Sequence, residues 1–317
     1  MKKCYIPLMA ISFVLIFKTT NAQDPQFTQF YANPLYLNPA LAGSNICPRV
    51  CINYRNQWPG ISATYVTTSA SIDKFIYKIK GGLGLLVTND RAGQGTINSS
   101  TVSAMYAYQL KIRRNFTMNF GLEATYAQKV LDWNKLTFGD MIDNKHGFVY
   151  NTSEVPKALK REYADFDAGV MAFTKKFFVG FAAHHLTQPN EGFISESRLP
   201  LKITAHAGAV FPLKGAKGNV SISPNILYQR QGNFQQFDIG FYVRKSAIVG
   251  GLWYRSNDSF IALIGLLTGM FKCGYSYDIT ISKLTNATAG AHEFSVGLMF
   301  KCKKPRIKFR PDICPVF

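Results

Sequence analysis

From Cys47 onward the chain alternates between apolar and polar positions with a period of two. In 116–126, Phe116, Met118, Phe120, Leu122, Ala124 and Tyr126 share one face, and Thr117, Asn119, Gly121, Glu123 and Thr125 share the other. In 237–243, Phe237, Ile239, Phe241 and Val243 oppose Asp238, Gly240 and Tyr242. Phe271, Cys273, Tyr275 and Tyr277 oppose Lys272, Gly274, Ser276 and Asp278, while Phe294, Val296, Leu298 and Phe300 oppose Glu293, Ser295, Gly297 and Met299. Residues at i and i+2 point the same way in a strand, so each stretch has an apolar face and a polar or glycine-rich face. Fourteen such segments lie near 47–57, 63–75, 81–89, 96–110, 115–129, 163–173, 177–187, 201–211, 218–230, 234–243, 247–256, 259–267, 270–280 and 292–301.

Fourteen is even, and most segments reach the roughly 9–11 residues that a tilted strand needs to cross a bilayer. The pattern predicts an all-β chain, an outer-membrane antiparallel β-barrel of about 14 strands. A soluble sandwich also alternates. Two features favour the barrel: one face of each segment is aliphatic and aromatic with tyrosines at segment ends, and the other carries Gly, Ser, Thr, Asn and isolated charges that suit a polar lumen. Loop lengths agree. With both termini in the periplasm, the long connections 130–162, 188–200 and 281–291 fall outside, and the short turns 111–114, 174–176, 244–246 and 268–269 fall inside.

The residues before the barrel set the compartment. Met1-Lys2-Lys3 is a short basic start, 5–17 is an apolar run, and Thr20-Asn21-Ala22 offers small residues at −3 and −1 of a cut before Gln23. That pattern predicts a Sec signal peptide over 1–22, and the run is shorter than the ~20 residues of a membrane anchor. Next comes 23–46, an extended segment rich in Pro and Asn, with Asp24-Pro25, Asn33-Pro34 and Asn38-Pro39. The barrel is expected over 47–302 and a basic periplasmic tail over 303–317.

The formal charge is +18, and Lys2, Lys3 and Lys18 leave with the signal, so the exported chain carries +15. Export argues against a nucleic-acid partner and leaves anionic lipid or acidic protein. The charge sorts by end. Lys78, Lys80, Lys111, Arg113, Arg114, Lys175, Lys176, Lys214, Lys217, Arg244 and Lys245 all fall in predicted periplasmic turns and flanks, joined by the basic tail. Such a single-sign rim is a candidate docking surface for an acidic periplasmic partner, or simply a solvated rim.

Little else points to chemistry. The sequence has no HExxH, GxSxG, Walker loop or CxxC, so no catalytic, cofactor or metal site is expected. Gly81-Gly82-Leu83-Gly84 reads as a lumen-facing glycine row. His184 and His185, adjacent on a strand, are expected on opposite faces, which is poor ligand geometry; Asp165 and Asp167 share a face and are expected to line the lumen. Cys47 and Cys51 lie ~13 Å apart on an extended strand, too far to bridge each other. Strand closure would instead bring Cys302 to Cys47 or Cys51, or to Cys273 across the last hairpin.

Several motifs taken together resemble the PorP/SprF family, outer-membrane proteins associated with the type IX secretion system of Bacteroidetes. They are Gln23-Asp24-Pro25-Gln26-Phe27-Thr28-Gln29-Phe30, Asn33-Pro34-Leu35, Leu37-Asn38-Pro39-Ala40-Leu41-Ala42-Gly43-Ser44, Arg55-Asn56-Gln57-Trp58-Pro59-Gly60, Tyr275-Ser276-Tyr277-Asp278, Ser282-Lys283-Leu284, Ala291-His292-Glu293-Phe294-Ser295 and Cys314-Pro315-Val316-Phe317. The resemblance implies no enzyme activity. It implies an outer-membrane accessory of the secretion and gliding machinery, with secretion components and a large secreted surface protein, such as an adhesin, as partners and outer-membrane lipid around it. A stand-alone channel for small solutes is the alternative. The resemblance also suggests a role for 23–44. Prolines withhold donors from a sheet, so the segment is expected to fold into or beneath the periplasmic mouth, anchored by Tyr31, Leu35, Tyr36 and Leu37.

Overall fold

Alternation of apolar and polar side chains gives each strand one face for lipid and one for the interior, and closure satisfies every backbone group between strands. In the computed structural model the described residues are 24–61, 64–93, 95–143, 145–153, 155, 158–193, 195–213, 220–281 and 289–302. The predicted leader 1–22, Gln23, Lys214, Lys217 and the tail 303–317 with Cys314 lie outside them.

The fourteen long strands are β1 (Arg49–Gln57), β2 (Tyr65–Ile76), β3 (Gly81–Ala92), β4 (Ile97–Arg113), β5 (Phe116–Leu131), β6 (Lys160–Phe173), β7 (Phe177–His184), β8 (Lys202–Ala209), β9 (Val220–Gln231), β10 (Phe234–Lys245), β11 (Ile248–Arg255), β12 (Ser259–Thr268), β13 (Phe271–Thr280) and β14 (Ala291–Met299). Each pairs antiparallel with its neighbours in sequence. The last returns to the first, from Arg49 opposite Met299 to Gln57 opposite Ala291, so the barrel is closed and these strands have no open edge. Two small additions are a two-strand hairpin, Ile142–Asp143 with Gly147–Phe148, and the pair Phe211–Pro212 against β9.

Outward positions are those the alternation marks. Leu122 is 66% exposed while Asn119, three residues away on the same strand, is 2% exposed. Phe237, Ile239, Phe271, Phe294 and Val296 are likewise exposed, and Asp238, Ser276, Asp278 and Glu293 are buried. The described parts of the connections 132–159, 185–201 and 281–290 lie at one end, the long-loop end. The turns 114–115, 174–176, 246–247 and 269–270 lie at the other, beside the Cys47–Cys302 disulfide that staples the start of β1 to the end of β14.

Two departures from the sequence reading are local. The seventh strand ends at His184, because His185 takes a left-handed φ of 62° and the chain turns there. The segment 24–46 is not simply extended. It holds three short helical turns, Phe30–Ala32, Pro34–Leu37 and Pro39–Leu41. Each Asn-Pro step puts proline at the first helical position, where its fixed φ fits and its missing N–H costs nothing. Asn38 also supplies a cap: its Oδ1 accepts from the Ala40 N–H at 2.9 Å.

Candidate functional site

The lumen is the candidate site, and residues 24–46 fill it. Phe27, Phe30, Tyr31, Leu35, Leu37, Ala40 and Leu41 are all buried there. Phe30 packs edge-on against Trp253 with ring centroids 5.3 Å apart, and Tyr31 against Phe178 at 5.7 Å. Leu37, Ala40 and Leu41 complete this cluster with Met171, Leu227 and Ile261. A second cluster sets Leu35 and Ala42 against Leu86, Met105 and Ala107. Part of the lumen is therefore a packed apolar core, where the inward faces of the strands read alone suited a polar lumen. The barrel wall makes room with glycines: a Cβ on Gly121 would overlap the Ala40 backbone, and one on Gly82 would overlap Ala42. Of the four expected anchors, Tyr31, Leu35 and Leu37 are buried. Tyr36 is half-buried, with its ring against Phe27 and its hydroxyl donating to the Pro25 carbonyl.

Polar contacts fix the segment at three heights. At the short-turn end, the Gly43 N–H donates to Asp73 Oδ2 at 2.8 Å, and Arg49 pairs with the same carboxylate at 2.8 Å. Higher up, a charged clamp holds Thr28 and Gln29. Their N–H groups donate to the two oxygens of Glu293 at 2.6 and 3.0 Å. Arg55 pairs with Asp278 at 2.8 Å and Glu293 at 3.2 Å, and Arg255 reaches Asp278 at 3.1 Å. All four charged groups are almost fully buried. The Gln29 side chain donates to the Glu293 carbonyl at 3.0 Å and accepts from Ser295 Oγ at 2.5 Å. Sequence reasoning singled out none of these charges as a site. The available signal was an ionisable residue on the inward face of an alternating strand, and the motifs quoted above contain Thr28, Arg55, Asp278 and Glu293.

At the long-loop end, Asp24 is latched. Its carboxylate accepts from His185 Nε2 at 2.7 Å, Lys202 Nζ at 3.3 Å and Gln231 Nε2 at 3.1 Å. His185 Nδ1 meets Asp165 Oδ2 at 2.5 Å, so the imidazole bridges two carboxylates. Burial pushes this imidazole down, but the Asp24 charge and the hydrogen bonds to Asp165 and Asp24 hold it up to about 10. Burial alone would push the Asp24 carboxyl up; Lys202 first, then His185, hold it well below the usual range. The segment thus reaches past the short-turn mouth where the sequence reading put it, up to the long-loop end.

The same left-handed residue corrects the histidine reading. His184 and His185 do not diverge: the turn at His185 brings both to the lumen side, where His184 Nδ1 meets Asp167 Oδ2 at 2.9 Å. Glu123, Asp167 and His184 bring potential ligand atoms within 4.8 Å of one another, as do Asp165, Asp167 and His185. Both Asp167 oxygens are already engaged, by His184 Nδ1 and by the His185 N–H at 2.8 Å, so hydrogen bonding accounts for the grouping.

Above the segment opens a vestibule of about 780 Å³, floored by Asp24, Pro25, Gln26 and Tyr36. A smaller cavity of about 90 Å³ lies between Tyr31 and the β11–β14 wall. On the opposite rim Lys78, Lys80, Lys111, Arg113, Arg114, Lys175, Lys176, Arg244 and Lys245 are exposed. Cys302 bonds to Cys47; Cys51 is a buried free thiol and Cys273 an exposed one.

A family model described as type IX secretion system membrane protein PorP/SprF matches residues 19–298. None of the curated proteins compared matches the chain in sequence. Among solved structures, the Acinetobacter baumannii outer membrane protein Omp33 is similar at 9% identity over 81% of this chain and all of its own, with a TM-score of 0.46. A Pseudomonas aeruginosa FadL homologue is similar at 11% identity over 83% of this chain and 93% of its own, with a TM-score of 0.45. The P. putida toluene transporter TodX gives 8% identity, 84% and 93% coverage and a TM-score of 0.45. Likeness at this level says nothing of function.

Proposed function

The chain belongs to the type IX secretion system membrane protein family PorP/SprF and is an outer-membrane β-barrel, and from that premise we propose that it is an accessory that supports export or surface anchoring of a large secreted protein such as an adhesin. The observation that carries this reading is the filled lumen. A solute channel needs a continuous aqueous path, whereas here the chain's own residues 27–42 occupy the interior as a packed core. An interior spent on self-packing leaves the two ends as working surfaces, which suits a protein that handles other proteins.

In this reading the short-turn end faces the periplasm, and the apolar outer faces meet outer-membrane lipid. The exposed rim of Lys111, Arg113, Arg114, Lys175, Lys176, Arg244 and Lys245 steers an acidic domain of a secretion component. The segment 24–46, anchored through Tyr31, Leu35, Tyr36 and Leu37, restricts the pore. The test is affinity purification of the tagged protein from mildly solubilised outer membranes, with and without charge reversal of Lys111, Arg113 and Arg114. Secretion components and a large surface protein are expected with the parent and in reduced amount with the reversal. Recovery of the barrel alone, repeated after cross-linking, together with a large unitary conductance, would return the reading to a solute channel.

A further inference from the structure

The long-loop vestibule has a charge character opposite to that of the rim at the other end. Six carboxylates line it, against two lysines and one arginine plus His184 and His185. Most of these charges are matched. Lys129 pairs with Glu191 at 2.9 Å, Lys202 and His185 with Asp24, His184 with Asp167, and Arg255 with Asp258 at 3.5 Å. Two are not. Among the described residues, Asp90 and Glu123 have no Lys, Arg or His within ion-pair distance, and both face the cavity.

Hydroxyls hold these two acids in place. Thr67 Oγ1 donates to Asp90 Oδ1 at 2.6 Å, and Thr125 Oγ1 donates to Glu123 Oε1 at 3.3 Å. Thr88 bonds Thr101, and Ser103 bonds Thr125 at 2.7 Å, so β2 to β5 present a ladder of hydroxyls with the two carboxylates set in it. Aromatic rings share the cavity. Trp58 and Tyr65 pack edge-on at 5.6 Å at its upper side, and Tyr36 lies in its floor. Oriented carboxylates beside aromatic faces recognise an ammonium or guanidinium group by charge, by hydrogen bonding and by the ring quadrupole. The volume falls within the range of clefts that bury a ligand of a few residues' size.

We propose that this vestibule binds a basic segment of an exported polypeptide, taking its Lys or Arg side chains on Asp90 and Glu123 and its chain along the Trp58–Tyr65 side. The inference rests on the reading of the barrel as a protein-handling accessory, and names the chemistry of what it handles. The latched Asp24 end of residues 24–46 forms the floor against which such a segment stops.

The experiment is titration calorimetry on the full-length protein in detergent with three soluble peptides of equal length, rich in lysine, in glutamate or in serine. The lysine peptide is expected to bind and the serine peptide not, with affinity falling as salt is raised, while the glutamate peptide is expected only at the basic rim, with an affinity that the vestibule variants leave unchanged. Asp90→Asn and Glu123→Gln, which keep shape and remove charge, are each expected to weaken it tenfold or more; Glu196→Gln, on an exposed loop outside the vestibule, is expected to leave it unchanged. Equal binding of the lysine and serine peptides, no binding of the lysine peptide, or parental affinity of the lysine peptide in both vestibule variants would overturn the proposal. The peptide series on the parent protein needs no variant to fold. If partners still co-purify while the lysine peptide fails to bind, the vestibule proposal falls alone; if no partner co-purifies, the accessory reading falls first.

Discussion

At the residue scale the interior is governed by a few buried charges. Arg55 serves two carboxylates at once, so among the described residues its loss leaves Asp278 with Arg255 alone and Glu293 with no cation in ion-pair reach. Arg55→Met is expected to destabilise the folded barrel by about 3–5 kcal/mol, the usual cost of orphaning a buried charge. The readout is a lower temperature for the heat-induced mobility shift on a semi-native gel; an unchanged temperature would count against the clamp. The Asp24 latch gives a second expectation, in pH. His185, raised from 6.5 to about 10, contributes stability that is complete below 6.5 and lost as pH rises through about 10. Asp24, depressed from 3.8, contributes stability present above that value and lost as pH falls below it. Labelling of a Gln26→Cys variant is therefore expected to stay slow and level from about pH 5 to 8, and to rise in acid and in strong alkali. A midpoint near neutrality would show that His185 is not bridging two carboxylates. The sequence was silent on this latch because the period-two rule presumes an unbroken strand. One left-handed residue at 185 reverses which side its imidazole faces.

At the element scale the strands and the N-terminal segment differ in how they can be read. A strand advertises itself locally, since lipid and lumen impose their demands on alternate residues of the same short stretch. The segment packs against inward positions drawn from many strands, so its place is a property of the closed barrel and is written nowhere in its own pattern. Its prolines reveal only that it does not join the sheet, and its Asn-Pro steps, read as part of an extended segment, are helix starts. Of the glycine row, Gly82 and Gly84 face the lumen as read while Gly81 lies against the outward Tyr106 ring, and it was not legible that Gly82 and Gly121 are small because backbone presses on them. Gly121→Val is expected to leave the strands intact and displace the segment near Ala40, with increased single-channel conductance and faster proteolysis between Phe27 and Leu41. Unchanged conductance and protection would mean that the close approach at Gly121 is not limiting.

Taken whole, the molecule is a closed wall, a filled interior and two ends of unlike charge. The fourteen-strand count and the asymmetry of loop lengths were both visible in the sequence, because each follows from alternation and turn spacing. Which cysteine meets Cys302 was not, since Cys47, Cys51 and Cys273 all lie on strands that adjoin β14 or on its flank, and only the register at Arg49 opposite Met299 puts Cys47 beside it. Cys47→Ser is expected to cost about 2–4 kcal/mol while the barrel still closes, because the β1–β14 ladder remains. Heat-modifiability with and without reductant checks this; loss of assembly would mean that the bond is needed to bring the two strands together.

The position of the Thr28 clamp carries a consequence for how the molecule is put together. Arg55 belongs to the first strand of the wall and Glu293 to the last, and the seam between them is the ladder that chain order completes last. Thr28 and Gln29 sit across that seam, held by a carboxylate that arrives with β14. A chain halted before Ala291 therefore leaves the wall open and the leading residues unseated together. The oldest part of the polypeptide finds its place only when the youngest strand is home, so the filling of the lumen reports that construction is finished.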